Sequence, residues 1–250
     1  MEPVESEKHE NATSDSESFK IWLQNIQAIK KWASKYDIEK LLKENGDFVM
    51  VDKFLPDFVA NGALETLESI PECDWEKSDN ASDEYNDVSH SFWSIDSFSC
   101  VHDLVRVFML LLPTKISTIS AGKYTRAGHI VAHDDKDIVP VGMADDEVVW
   151  HSRDIAVVYY LTKNWKESYG GQFVDLKTGS KYTPKFNSAV FFRVPRIHEV
   201  TPVTVNRPRL SFFGWYLVEG IKYDPEAPNG LTHKPIRRSP RLLKKSKHEN

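Results

Sequence analysis

Cysteine is nearly absent from the 250-residue chain, which carries only Cys73 and Cys100. Two thiols so placed offer neither a metal-binding spacing nor a disulfide framework. Both are expected as free thiols in a reducing compartment. Long apolar runs are also missing. The longest, residues 105–113, is interrupted by Arg106 and falls short of the roughly 20 residues that span a bilayer. The first residues are polar and acidic, unlike a secretory leader. The expectation is an intracellular protein, cytoplasmic or nuclear, with no membrane partner. The sequons at Asn11 and Asn80 then carry no meaning.

Net charge is a modest −5, but it is unevenly spread. Glu2, Glu5, Glu7, Glu10, Asp15 and Glu17 make the head acidic. Residues 1–17 have almost no apolar side chains to offset their ordering entropy and are expected to be disordered. Arg237, Arg238, Arg241, Lys244, Lys245 and Lys247 make the tail basic. Residues 223–250 are expected as a disordered tail. It is a solubilising extension, an import signal or a nucleic-acid contact, with nucleic acid the less favoured partner.

Between these ends, Phe19, Trp22, Leu23, Ile26, Ile29, Ala33 and Tyr36 recur at helical spacing. Residues 18–46 are read as a helical segment packed on the outside of the domain, with a break near Asp37. Pro56 opens a further helix to about Glu68, since proline suits a first helical turn. Residues 72–90 are rich in Asp and Glu and are read as an exposed loop. Val101, Leu104, Val107, Phe108 and Leu111 form another helical stripe.

From residue 116 the texture changes to short β-rich runs: 116–124, 129–135, 155–161, 171–176, 188–194, 199–204 and 210–217. Helices first and strands afterwards favour a mainly β domain, residues 47–222, braced by helices.

His133 and Asp135 lie in one of these runs. Residues two apart on a strand face the same side, which selects Asp135 over Asp134. One imidazole and one carboxylate make two-thirds of the facial triad that binds non-haem Fe(II) and leaves open positions. The third ligand should be a distant histidine; His129, His151 and His198 are the candidates. Four strand residues span about 13 Å, so His129 is too far from His133 to share its metal. His198 precedes an extended run, and Arg207 and Arg209 follow. Arginine is the natural clamp for a carboxylate because its planar fork meets both oxygens. Trp215 and Phe191 are aromatic strand residues expected in the plain core rather than in a pocket wall.

The pieces fall in a definite order. Tyr124 and Gly128 lead to His133-x-Asp135, then to Tyr159-Tyr160 and Trp165, then to Tyr169-Gly170-Gly171. Pro184 to Phe192, His198-x-x-x-Pro202-Val203 and Arg209-x-Ser211 complete the set. In this order the chain resembles the iron- and 2-oxoglutarate-dependent dioxygenases, in the branch of prolyl 4-hydroxylases and oxygen-sensing prolyl hydroxylases. The resemblance spans about residues 47–220. It implies a double-stranded β-helix, a jelly roll of two facing sheets. It implies His133, Asp135 and His198 as iron ligands and Arg209 as the partner of the distal carboxylate of 2-oxoglutarate. Tyr124 and Tyr160 match further cosubstrate contacts. The implied cofactors are Fe(II), 2-oxoglutarate and O2, with ascorbate as reductant. Residues 136–150 look longer than the family minimum and are expected to shape the substrate entrance. The implied activity is hydroxylation of a protein or peptide, at proline, with release of succinate and CO2. The alternatives are an oxygenase of the same fold acting on a small molecule or nucleic acid, and a non-catalytic binding protein that retains the fold.

Overall fold

In the computed structural model the described residues are 16–80, 88–95, 101–142 and 147–224. Expectations for residues 1–15, the acidic run 81–87, Cys100 and the basic tail lie outside them. Cys73 is a free, exposed thiol.

The N-terminal helical stripe is broken twice rather than once. Residues 16–24, which take in the end of the expected disordered head, are already helical (α1). They are followed by α2 (Ile26–Ala33) and α3 (Ile38–Glu44). Each break is made by the residue that caps the next helix. Asn25 accepts the N–H of Ala28 and Asp37 that of Lys40, both at 3.0 Å. Strand β1 (Phe48–Asp52) then leads to α4 (Asp57–Glu68), with Pro56 before its first turn as expected.

Residues 72–90 are not one loop. A 3-10 turn (Glu72–Asp74) runs into strand β2 (Glu76–Asp79), which pairs with β3 (His90–Ile95). Charged residues suit β2 because it lies at a sheet edge, where they blunt further pairing. After α5 (His102–Met109) come β4 (Ser117–Tyr124), β5 (His129–His133), β6 (Ile138–Gly142) and β7 (Val148–Tyr160). The chain closes with β8 (Phe173–Asp175), β9 (Ser180–Tyr182), β10 (Ser188–Arg193), β11 (His198–Val200) and β12 (Arg209–Glu219).

The strands form one curled sheet in the order β1-β10-β7-β12-β4-β3-β5-β11-β8-β9. β3 pairs with both β4 and β5 and so joins a larger half to a smaller one. This is the double-stranded β-helix expected from the sequence.

Strand alternation decides what each half faces. Ile155, Val157 and Tyr159 of β7 and Ala189 and Phe191 of β10 pack outward against the helices. Ala156 and Tyr160, with Val190 and Phe192, point the other way, toward Phe173. Trp32, Tyr36, Phe54 and Phe108 meet the outward set in one aromatic cluster. Asn187 ties the two layers together. Its Oδ1 accepts from Leu55 N–H and Tyr159 O–H, and its Nδ2 donates to Leu55 O, all at 2.9 Å. Among the described residues no helix is long and apolar enough to cross a membrane.

Candidate metal centre and its cavity

Strand register assembles the site. His133 on β5 sits directly opposite His198 on β11, and their rings are 4.1 Å apart. Arg209 on β12 is opposite Tyr124 on β4, and Ser211 is opposite Tyr160 on β7. Opposed residues on one sheet face have side chains within contact range, so chemistry scattered along the chain converges. All six line one cavity of about 430 Å³ between the two halves of the sheet.

One atom each of His133, Asp135 and His198 lies within 4.8 Å of the other two. Asp135 Oδ1 is 3.2 Å from His133 Nε2, and Oδ2 is 3.6 Å from His198 Nε2. The two imidazoles are oriented alike. His133 Nδ1 lies 2.8 Å from Val131 O and His198 Nδ1 2.8 Å from Arg196 O. A carbonyl only accepts, so each Nδ1 carries a proton and each Nε2 is the ring atom turned toward Asp135. Phe173 stacks on the His198 ring at 4.9 Å and Phe192 meets it edge-on at 4.7 Å. Burial, then the neighbouring His133, pull the His198 pKa down to about 4, so its lone pair is free at neutral pH. Burial also opposes charge on His133, but the hydrogen bond and charge of Asp135 outweigh it and raise that pKa. Asp135 stays ionised: burial is overcome by the two imidazoles and Arg153, which hold its carboxyl well below the usual range. Two nitrogen donors and one carboxylate oxygen fit non-haem Fe(II).

Asp135 reaches this position by a route the sequence did not suggest. β5 ends at His133, and Asp135 lies beyond it with φ +60°. A left-handed turn, not strand alternation, brings it to His133. His129 and His151 stand apart from the cluster. His129 pairs with Ala127 O and Ser89 Oγ. His151 is buried with its Nδ1 at Val149 O, 3.1 Å away.

Arg209 is 2% exposed. Its Nη1 donates to Gly171 O at 2.6 Å, while its Nε is buried without a partner. Its guanidinium lies 4.0 Å above the Tyr124 ring and 5.5 Å from that of Tyr160. No ion pair joins it to a carboxylate among the described residues. A buried, unpaired cation is costly, and here it faces a cavity suited to a small anion. Ser211 Oγ, two residues along the same strand face, is likewise buried without a partner. Gly171, at φ +64°, lets its carbonyl reach Arg209; a Cβ there would stand 3.3 Å from Arg209 Cδ. Burial pushes the phenols of Tyr124 and Tyr160 upward against the pull of Arg209, so both keep a proton to donate. Arg207 is exposed and donates to Lys163 O, away from the cavity.

Trp215 is a correction: it lines the cavity rather than the plain core. Phe191 belongs to the core, and its neighbour Phe192 lines the cavity instead. Arg153 had no sequence signal. It stacks on Trp215 at 3.6 Å and pairs with Asp137 at 2.9 Å. A bulge explains it. Tyr216 pairs with Ile155 but Leu217 pairs with Arg153, so Asp154 is the extra residue and the alternation flips. Residues 138–142 and 148–152 form the β6–β7 hairpin, which carries Asp137 and Arg153 at its root. The cavity continues outward past Val88, His90 and Phe92 on and beside β3.

Residues 119–217 match the model of the 2OG-Fe(II) oxygenase superfamily. Among solved structures, the chain is similar to a prolyl hydroxylase from Trichoplax adhaerens in complex with a hypoxia inducible factor oxygen degradation domain peptide fragment. Identity is 17%, over 76% of this chain and 91% of that one, with a TM-score of 0.54. A prolyl 4-hydroxylase from Phytophthora capsici matches at 16% identity, over 83% of this chain and 70% of that one, with a TM-score of 0.51. At these identities the likeness is one of fold.

Proposed function

Because residues 119–217 match the model of the 2OG-Fe(II) oxygenase superfamily, we propose that the chain is a dioxygenase of that kind that hydroxylates a protein or peptide at proline. The observation that carries the oxygenase reading is a single cavity shared by two groups. One is the His133–Asp135–His198 cluster and the other is the buried, unpaired guanidinium of Arg209. The family's cofactors are Fe(II), 2-oxoglutarate and O2. In this reading His133, Asp135 and His198 hold the iron. Arg209 pairs with the distal carboxylate of 2-oxoglutarate, and Tyr124 and Tyr160 donate hydrogen bonds beside it. When bound, iron, 2-oxoglutarate and O2 supply the oxidising power to place one oxygen atom in a C–H bond, with succinate and CO2 as the other products.

The chain's own contribution is position and dryness. Carbonyls of Val131 and Arg196 fix the two imidazoles, so little reorganisation is needed for binding. Phe173, Phe192 and Val158 exclude water from one wall. The Arg209 guanidinium sits in a low-dielectric pocket, where a carboxylate is bound more strongly than in water.

The substrate reading rests on the outer part of the cavity. Trp215, Phe213 and Phe92 give it aromatic walls that suit an apolar ring lacking an N–H donor. The Trichoplax protein, of similar fold, is a prolyl hydroxylase bound to a peptide fragment, which supports a peptide in this groove. The test is mass spectrometry of proline-containing peptides incubated with the protein, Fe(II), 2-oxoglutarate and ascorbate. A gain of one oxygen on proline is expected. Robust succinate formation with a free amino acid or nucleic acid, and none with any peptide, would overturn the substrate assignment.

A further inference from the structure

Two aspartates stand side by side, and only Asp135 joins the two histidines. Asp134 is 2% exposed and has its own arrangement. Its Oδ1 accepts the backbone N–H of Lys136 at 3.1 Å, and its Oδ2 lies 3.2 Å from Lys136 Nζ. Both side chains are deeply buried, at 3% and 7% exposure. Residues 134 and 136 are therefore tied by two contacts across residue 135. Residue 135 is the one with left-handed backbone, at φ +60°, a conformation L residues avoid unless something holds it.

We propose that Asp134 and Lys136 are positioning residues for the metal centre, a clip that holds the Asp135 turn and keeps a second carboxylate away from the metal. The inference rests on His133, Asp135 and His198 being the metal site. Extended backbone would carry residue 135 about 6.6 Å beyond residue 133 along the strand direction. The left-handed turn folds it back, and its Oδ1 lies 3.2 Å from His133 Nε2. Arg153 Nη1, 3.5 Å from Asp135 O, braces the turn from the far side. The ion pair has a separate effect. An unpaired Asp134 would be a rival ligand one residue from the true one, and Lys136 occupies its charge. The run of four charged residues, 134–137, is compensated pair by pair, with Asp137 meeting Arg153. Asp134 answers Lys136, and Asp135 answers the histidines.

The test is the affinity of the metal-free protein for Co(II), used as a stand-in for Fe(II), by calorimetry. The thermal midpoint in chelator is measured alongside. Asp134→Ala is expected to weaken Co(II) binding about 10- to 100-fold, the range for outer-shell partners of ligands. Asp134→Asn keeps the oxygen that accepts the Lys136 N–H and should restore most of that affinity. Lys136→Met keeps the N–H but frees the Asp134 carboxylate as a rival ligand, and it should change Co(II) affinity about 10-fold. Lys136→Met also serves if Asp134→Ala does not fold. A purely structural pair would lower the midpoint in chelator and leave Co(II) affinity alone. Wild-type affinity in Asp134→Ala, or in Lys136→Met where Asp134→Ala does not fold, overturns the clip. Loss of Co(II) binding in His198→Ala is the control for the site itself. If that variant binds as the wild type does, the metal assignment fails and not merely the clip.

Discussion

Replacing Arg209 by Met should abolish useful 2-oxoglutarate binding while sparing the fold. Arg209 is 2% exposed, and no ion pair joins it to a carboxylate among the described residues. In the free protein its charge is met by Gly171 O and the faces of Tyr124 and Tyr160. Met fills a similar volume and removes a cation that is expensive to bury. It also leaves Gly171 O without that donor, at about 1–3 kcal/mol. These effects oppose each other, so the ligand-free thermal midpoint should move little. Binding behaves differently. Removing one partner of a buried charge pair costs about 2–5 kcal/mol. At 1.4 kcal/mol per decade that is roughly 30-fold to several-thousand-fold in Kd. Calorimetry of 2-oxoglutarate binding to Mn(II)-loaded protein reads this directly. Arg209→Lys keeps the charge but not the fork and should fall between. A Met variant that binds 2-oxoglutarate within about threefold of wild type, a shift worth well under one decade, would refute the carboxylate role.

Trp215→Ala should raise KM for a peptide substrate and leave 2-oxoglutarate affinity unchanged, because Trp215 walls the cavity beside Arg153 rather than Arg209; steady-state kinetics on both substrates separate the two. Phe191→Ala should cost about 3–5 kcal/mol of stability by denaturant melting, since the ring is fully buried beneath the helices, with little change in metal affinity. Asp154 has its pKa lowered, because burial is outweighed by Lys115, Arg193 and Lys222. A depressed carboxylate contributes stability above its unfolded pKa of about 3.9 and loses it as pH falls through the folded value. The stability gap between wild type and Asp154→Asn should thus be full at pH 6 and shrink below about pH 4; a gap independent of pH would contradict the ion-pair network.

What could be read from the residues was set by periodicity. The run from His129 to His133, the spaced His198 and the Arg209-x-Ser211 pair all sit on strands where the two-residue repeat holds. Tyr160 was separable from Tyr159 for the same reason: one faces the cavity and the other meets Asn187. The misses lie where the repeat fails. Asp135 lies beside His133 and His198, but strand parity is not what puts it there, since strand β5 stops two residues earlier and residue 135 is left-handed. Arg153 was hidden by the bulge at Asp154, which reverses the facing of everything before it. Strand β2 was hidden by its own charge, because an edge strand with an exposed face has the composition of a loop. The break at Asn25 was invisible because the apolar stripe runs straight through it. Only the capping side chain marks the join.

The central claim is that His133, Asp135 and His198 together hold the iron that consumes 2-oxoglutarate. It is tested most directly by measuring succinate formed from 2-oxoglutarate with Fe(II) and O2, comparing the wild type with His133→Ala at matched folded concentration. The account predicts turnover by the wild type and none above background by the variant. Wild-type succinate production by His133→Ala would contradict it.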